Sequence, residues 1–227
     1  MKKLLLAVLA VLALTAPAQA ATVGIASVGA LGTTDTYDWG QLGDAFQELS
    51  SPQNVTSNGG ATAVVSSDGA LARFDQGIEW SGNFPNGEKL LYSSPYGFAF
   101  SLTNPVQGIG MQIQPNYFGS FVAEITAYDS NDTVLGTFME PGSSTYNEIG
   151  DGIFLGVLSD LINISKIGLV VYDPAAFQED GSIEPGYLLD FAVGTVYTTV
   201  PAVPLPAALP LFAGGLLGLG LFKRRKA

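Results

Sequence analysis

Twenty carboxylates, no histidine and no cysteine set the chemistry open to this 227-residue chain. Without imidazole the commonest general base and transition-metal ligand is missing, and without thiols so are disulfides, Cys-type metal sites and thiol nucleophiles. Ser-His-Asp and Cys-His schemes are excluded, as are zinc sites of the usual composition. Carboxylate chemistry, hard-cation binding, or recognition without a reaction are what remain.

Glycoside hydrolysis needs only two Asp or Glu side chains about 5–9.5 Å apart, yet no spacing among the twenty acids singles out a pair. No catalytic residue is assigned, and the chain reads as a non-enzyme, with a secreted carboxylate-dependent glycoside hydrolase as the alternative. Calcium binding calls for clustered oxygen ligands. Asp129, Asn131 and Asp132 crowd one loop, Asp173, Glu179, Asp180 and Glu184 crowd another, and Asp190 interrupts a strand on the face opposite Leu189, Phe191 and Val193. Neither loop has EF-hand spacing, and the competing reading is Asx-type turn residues on a solvated rim. Carbohydrate recognition would stack an aromatic ring beneath a sugar. Trp80 and Tyr117 are the leading candidates, with Asn83, Phe84, Tyr92, Tyr96 and Tyr146 also in or beside expected loops; the competing reading for each aromatic is the core.

The elements that must position these residues are strands. Ile109, Met111 and Ile113 alternate with Gly110, Gln112 and Gln114; Phe121, Ala123, Ile125 and Ala127 alternate with Val122, Glu124, Thr126 and Tyr128; Phe98, Phe100 and Leu102 repeat the pattern. All three have the two-residue period of half-buried strands. Asp129 to Asp132 reads as a hairpin loop leading into a strand over 133–138. Weaker strands are expected at 61–66, 71–75, 90–93, 153–157, 164–172 and 188–199. Trp39, Leu42 and Phe46, at spacings of three and four, predict a short helix over Asp38–Leu49. Many short strands separated by Gly, Pro and Asn predict an all-β fold, an antiparallel β-sandwich with jelly-roll-like topology.

Export is legible at both ends. Lys2-Lys3, the apolar stretch Leu4 to Leu14 and the small residues Ala18 and Ala20 have the three parts of a secretory signal peptide, with cleavage expected after Ala20. At the other end, Val203-Pro204-Leu205-Pro206-Ala207 precedes an apolar run of 15 residues, Ala208 to Phe222, and the basic cluster Lys223-Arg224-Arg225-Lys226. As a helix that run spans about 22 Å, short of the roughly 30 Å hydrocarbon core, so it is a thin transmembrane span. The basic cluster would stay cytoplasmic and leave everything before it outside. The boundaries are 1–20 for the signal peptide, 21–199 for a β-sandwich ectodomain and 200–227 for the tail.

This arrangement resembles the bacterial PEP-CTERM sorting class, whose tails are processed by exosortases, and within it the VPLPA variant, present literally as Val203 to Ala207. Leu205 stands where the main class has Glu. The body also resembles, more loosely, uncharacterised ectodomains of that class, in Asp38 to Gly43, Trp80 to Phe84, Gly108 to Gln114, Tyr117 to Gly119 and Leu189 to Ala192. The resemblance implies a Gram-negative envelope, handling by signal peptidase and an exosortase-type enzyme, transient residence in the inner membrane, and display at the cell surface or release, often beside exopolysaccharide. The implied role is an exported surface or extracellular-matrix protein, structural or carbohydrate-associating.

Removing both signals sharpens the charge. Only Arg73, Lys89 and Lys166 of the nine basic residues lie in the body, against all twenty acids, a formal charge of −17. Such a surface repels phosphate backbones, so nucleic acid is not an expected partner.

Overall fold

Two-residue alternation carries through to paired strands over most of the chain. The computed structural model describes residues 21–146, 152–178, 184 and 187–200. In chain order these form β1 (Thr22–Ile25), α1 (Val28–Leu31), β2 (Asp35–Tyr37), a 3-10 turn (Trp39–Leu42), β3 (Gln47–Leu49), β4 (Gln53–Thr56), β5 (Thr62–Ser66), β6 (Leu71–Asp75), β7 (Lys89–Ser93), β8 (Phe98–Val106) and β9 (Gly108–Pro115). There follow β10 (Gly119–Tyr128), β11 (Val134–Ser144), β12 (Ile153–Ser159), β13 (Ile164–Tyr172), a second 3-10 turn (Pro174–Ala176) and β14 (Phe191–Thr199). The expected signal peptide with Ala18 and Ala20, and the tail with Val203 to Ala207 and Lys223 to Lys226, lie outside the described residues. Among the described residues no helix is long and apolar enough to cross a membrane.

Two antiparallel sheets face each other as a β-sandwich. The first runs β1-β12-β9-β14-β7-β6-β3, with β2 also paired to β14; the second runs β11-β10-β13-β8-β5-β4. Their inner faces are the apolar halves of the alternating patterns. Ile109, Met111 and Ile113 from β9 meet Phe121, Ala123 and Ile125 from β10 and Phe98 and Phe100 from β8 in one buried cluster. Burial of that face drives the fold and fixes the register, because a slip of one residue would turn every apolar side chain to water. Pro141 is accommodated because β11 lies at a sheet edge.

The expected helix over Asp38–Leu49 is corrected by the structure. Only Trp39–Leu42 form a 3-10 turn, capped by the Asp38 side chain accepting from the Gly40 amide. Gly43 at φ 112° and Phe46 at φ 63° break it, and Gln47–Leu49 then pair with β6 as β3. The spacing misled because its members face different ways: Trp39 is wholly buried and donates from Nε1 to the Gly194 carbonyl at 2.8 Å, while Phe46 is 71% exposed. The four strands before Thr62 were not expected either; at three or four residues each they are too short for alternation to register.

Candidate functional site

The side chains that point away from the core on β6, β7 and β14 are not polar. Leu71 and Leu91 face inward, so their neighbours Ala72, Phe74, Leu90, Tyr92 and Ala192 face out. This second apolar surface is covered by residues 76–88, which fold back from β6 across the outer face of the sheet and bury Trp80 and Phe84 against Leu90 and Ala192.

Buried amides hold that cover in place. Gln76 donates from Nε2 to the Gly82 carbonyl at 2.9 Å, and the Gln114 Oε1 accepts from the Asn83 amide at 2.6 Å. Asn83 in turn donates from Nδ2 to Thr145 Oγ1 at 2.9 Å and accepts the Thr145 amide at 2.7 Å. Each of the three amide side chains is at most 2% exposed, so their hydrogen bonds form in low dielectric and specify one loop conformation. A Cβ on Gly82 would lie 2.2 Å from the Gln114 amide, which is why the chain can approach so closely only there.

An aromatic ladder results. Phe74 stands edge-on to Tyr92 at 5.7 Å and to Phe46 at 5.5 Å, and Trp80 lies tilted against Phe74 and Tyr92 at 6.1 and 6.4 Å. These rings line a depression of about 400 Å³ together with Glu48, Glu79 and Asn116. Glu79, Trp80 and Asn116 also line a neighbouring hollow of about 240 Å³ with Tyr117 and Phe118. Asn116 and Tyr117 continue into a third, about 270 Å³, that ends at Asp190. Shared walls make the three one winding groove. Exposed Phe118 and Tyr146 pair edge-on at 5.9 Å beside its second hollow.

Acids lie along the groove and bases do not. The Tyr92 hydroxyl donates to Asp190 Oδ2 at 2.6 Å; burial, then the bond to Asp190 and its charge, push the Tyr92 phenol well above its usual range. Glu79 Oε2 accepts the Asp75 amide at 3.1 Å. The three cations of the body are committed elsewhere: Arg73 and Lys89 to Asp75, and Lys166 to Asp132.

The structure brings together some of the residues singled out from sequence and separates others. Trp80, Tyr117 and Asp190 all line the groove. Trp80, however, is only 5% exposed and serves mainly as the floor, with its indole N–H lacking an acceptor among the described residues. Asp190 precedes β14 instead of interrupting it. It sits by the first half of β10, through the Tyr172–Leu188 bridge and the Tyr172–Val122 pairing, whereas Asp129, Asn131 and Asp132 follow the last residue of β10. In that loop Asp129 Oδ1 accepts the Asn131 and Thr133 amides at 2.8 and 2.9 Å, an Asx turn, and these bonds hold its carboxyl below the usual range. Asp132 accepts from Lys166. Asp173 caps the second 3-10 turn, and Glu179 and Asp180 lie outside the described residues. Among the described residues no group of three or more acids is placed to hold a metal.

Sequence reasoning missed Phe46, Phe74, Glu48 and Glu79. Phe46 had a signal only in hindsight, as an aromatic three residues beyond a glycine that ends its turn.

No family model and no curated protein matches the chain. Among solved structures, a DUF4465 family protein from Bacteroides caccae is similar over 79% of this chain and 100% of its own, at 11% identity and a TM-score of 0.37, too distant a likeness to carry an argument. The chemistry of the groove must be read from its own residues. Aromatic faces offer stacking to apolar ring faces, and the carboxylates and Asn116 offer acceptors to hydroxyl or ammonium groups.

Proposed function

We propose that the chain is an exported surface or extracellular-matrix protein whose β-sandwich associates with carbohydrate along the aromatic groove, its C-terminal tail acting as the sorting signal. The observation that carries the carbohydrate reading is the ladder Phe46–Phe74–Trp80–Tyr92, held open to solvent at Phe46. An exposed aromatic kept in the left-handed backbone region is costly, and such strain clusters at ligand clamps. Retention on immobilised glycans tests it, with Phe46→Ala as the comparison; equal behaviour of the two proteins would remove the reading.

The jelly-roll-like topology belongs to the same proposal. It is supported by the connections β3–β4, β5–β6, β7–β8, β8–β9, β9–β10, β11–β12, β12–β13 and β13–β14, which pass from one sheet to the other.

Sorting is tested by mass spectrometry of surface material from a host with and without its exosortase-type enzyme. Recovery of an intact Lys223 to Lys226 terminus in surface material would sink it.

A hydrolase is the second reading, and its support is that Glu48 and Glu79 line one depression. Release of reducing ends from a glycan that the protein retains, abolished in both Glu48→Gln and Glu79→Gln, would establish it. We favour binding, because Glu79 is already engaged in closing the turn that positions Trp80.

A further inference from the structure

We propose, building on the carbohydrate reading, that the groove selects sugars bearing free amines, as in a de-N-acetylated amino-sugar polymer, and rejects uronate polymers. Carboxylates from three separate segments converge on it: Glu48 from β3, Glu79 from the cover of residues 76–88, and Asp190 from the approach to β14. Among the described residues none is neutralised by a cation, since Arg73, Lys89 and Lys166 all pair with Asp75 or Asp132. Asp190 spends Oδ2 on the Tyr92 hydroxyl and keeps Oδ1 without a partner among the described residues.

The aromatic walls reinforce the same choice. The faces of Phe46 and Tyr92 are negative and attract an ammonium as well as stacking on a ring. A uronate carboxylate would meet three like charges and no donor with a full positive charge, in a body already carrying twenty acids against three bases. A neutral N-acetylated sugar could stack but would leave the carboxylates' charge unused. The chemical class that uses both features is a pyranose with an equatorial or axial ammonium.

Because an acidic protein attracts any polycation, the test must separate the groove from bulk charge. Calorimetric titration of the full chain with short oligosaccharides of glucosamine, N-acetylglucosamine and galacturonate, matched in length, reads selectivity. Glucosamine should bind about tenfold or more tighter than its acetylated counterpart, weaken with salt, and galacturonate should not bind. Glu48→Gln with Asp190→Asn should bring the glucosamine and N-acetylglucosamine affinities together and leave the latter unchanged. Asp129→Asn and Asp160→Asn, remote from the groove, should leave the preference intact. Equal affinity of unmodified protein for the two amino sugars, or a preference lost only in the remote variants, would overturn the proposal while leaving carbohydrate binding standing. Binding of none of the three would end both.

Discussion

The Phe46 ring meets the Phe74 ring edge-on at 5.5 Å and 84°, although Phe46 is 71% exposed and its backbone sits at φ 63°. The contact is made possible by the Phe46 amide donating to the Arg73 carbonyl at 2.7 Å, which anchors the segment entering β3 to the strand that carries Phe74. The left-handed backbone turns the ring back over the outer face of the sheet, where it would otherwise project into water.

Phe46→Gly therefore separates stability from binding. Relief of a left-handed non-glycine conformation is worth about 1–2 kcal/mol, and the added freedom of the unfolded chain costs about 0.5–1 kcal/mol. Stability by urea denaturation should stay level or rise slightly, while glycan retention is lost. A drop of several kcal/mol would show that the ring is structural.

Trp80→Ala should behave in the opposite way. The side chain is 5% exposed and packs with Phe84, Leu90 and Ala192, so its loss should cost about 3–5 kcal/mol. Hydrogen exchange should accelerate across residues 76–88 in particular. A cost below about 1 kcal/mol would mean that the buried amides alone hold the cover down.

Among the described residues Asp75 is the one carboxylate paired with the buried Arg73, at 2% side-chain exposure, and it also binds Lys89 at 2.7 Å. Asp75→Asn should cost about 3–5 kcal/mol by leaving a buried guanidinium uncompensated. Burial pushes the Asp75 carboxyl up, yet hydrogen bonds from Lys89 and Arg73 outweigh it and leave it below 3.8. The stabilisation is thus present above pH about 3.8 and lost as pH falls through the folded-state value. Acid denaturation of Asp75→Asn should lack that step.

At high pH Tyr37 is one of the buried phenols that limit stability, beside Tyr92. Burial, with the Asp35 charge adding to it, pushes the phenol up to about 12 from 10.0. The folded state keeps the proton after the unfolded chain has lost it, so stability is full below pH 10 and falls between pH 10 and about 12. Tyr37→Phe should flatten that part of the pH profile; an unchanged slope would place the effect on other tyrosines.

Calcium should not change the melting temperature. Asp129 Oδ1 is occupied by two backbone amides and Asp132 by Lys166. Adding millimolar Ca²⁺ or a chelator should leave the thermal unfolding curve in place, and a rise with Ca²⁺ that Asp129→Ala abolishes would reopen that loop as a site.

Strand positions were legible wherever alternation ran for five residues or more, as in β8, β9 and β10, because one face of each is apolar and the period is local. The same local reading nominated Trp80, Tyr117 and Asp190, and all three do border the groove. It could not rank them. Trp80 looked like a surface platform and is the buried floor; Tyr92 lies in β7, within the strand expected at 90–93, and its ring faces the groove; Phe46 looked helical and is the exposed end of the ladder.

Composition alone excluded imidazole and thiol chemistry and made the body strongly acidic, and the ends alone carried the expectation of export, since these depend on residue type and short-range order. Only the tertiary structure decided that residues 76–88 fold over the outer face of a sheet, and that Glu48, Glu79 and Asp190 share one groove. Those relationships join segments of the chain as distant as β3 and β14 through burial and hydrogen bonds formed only after the sheets have paired, so no local pattern records them.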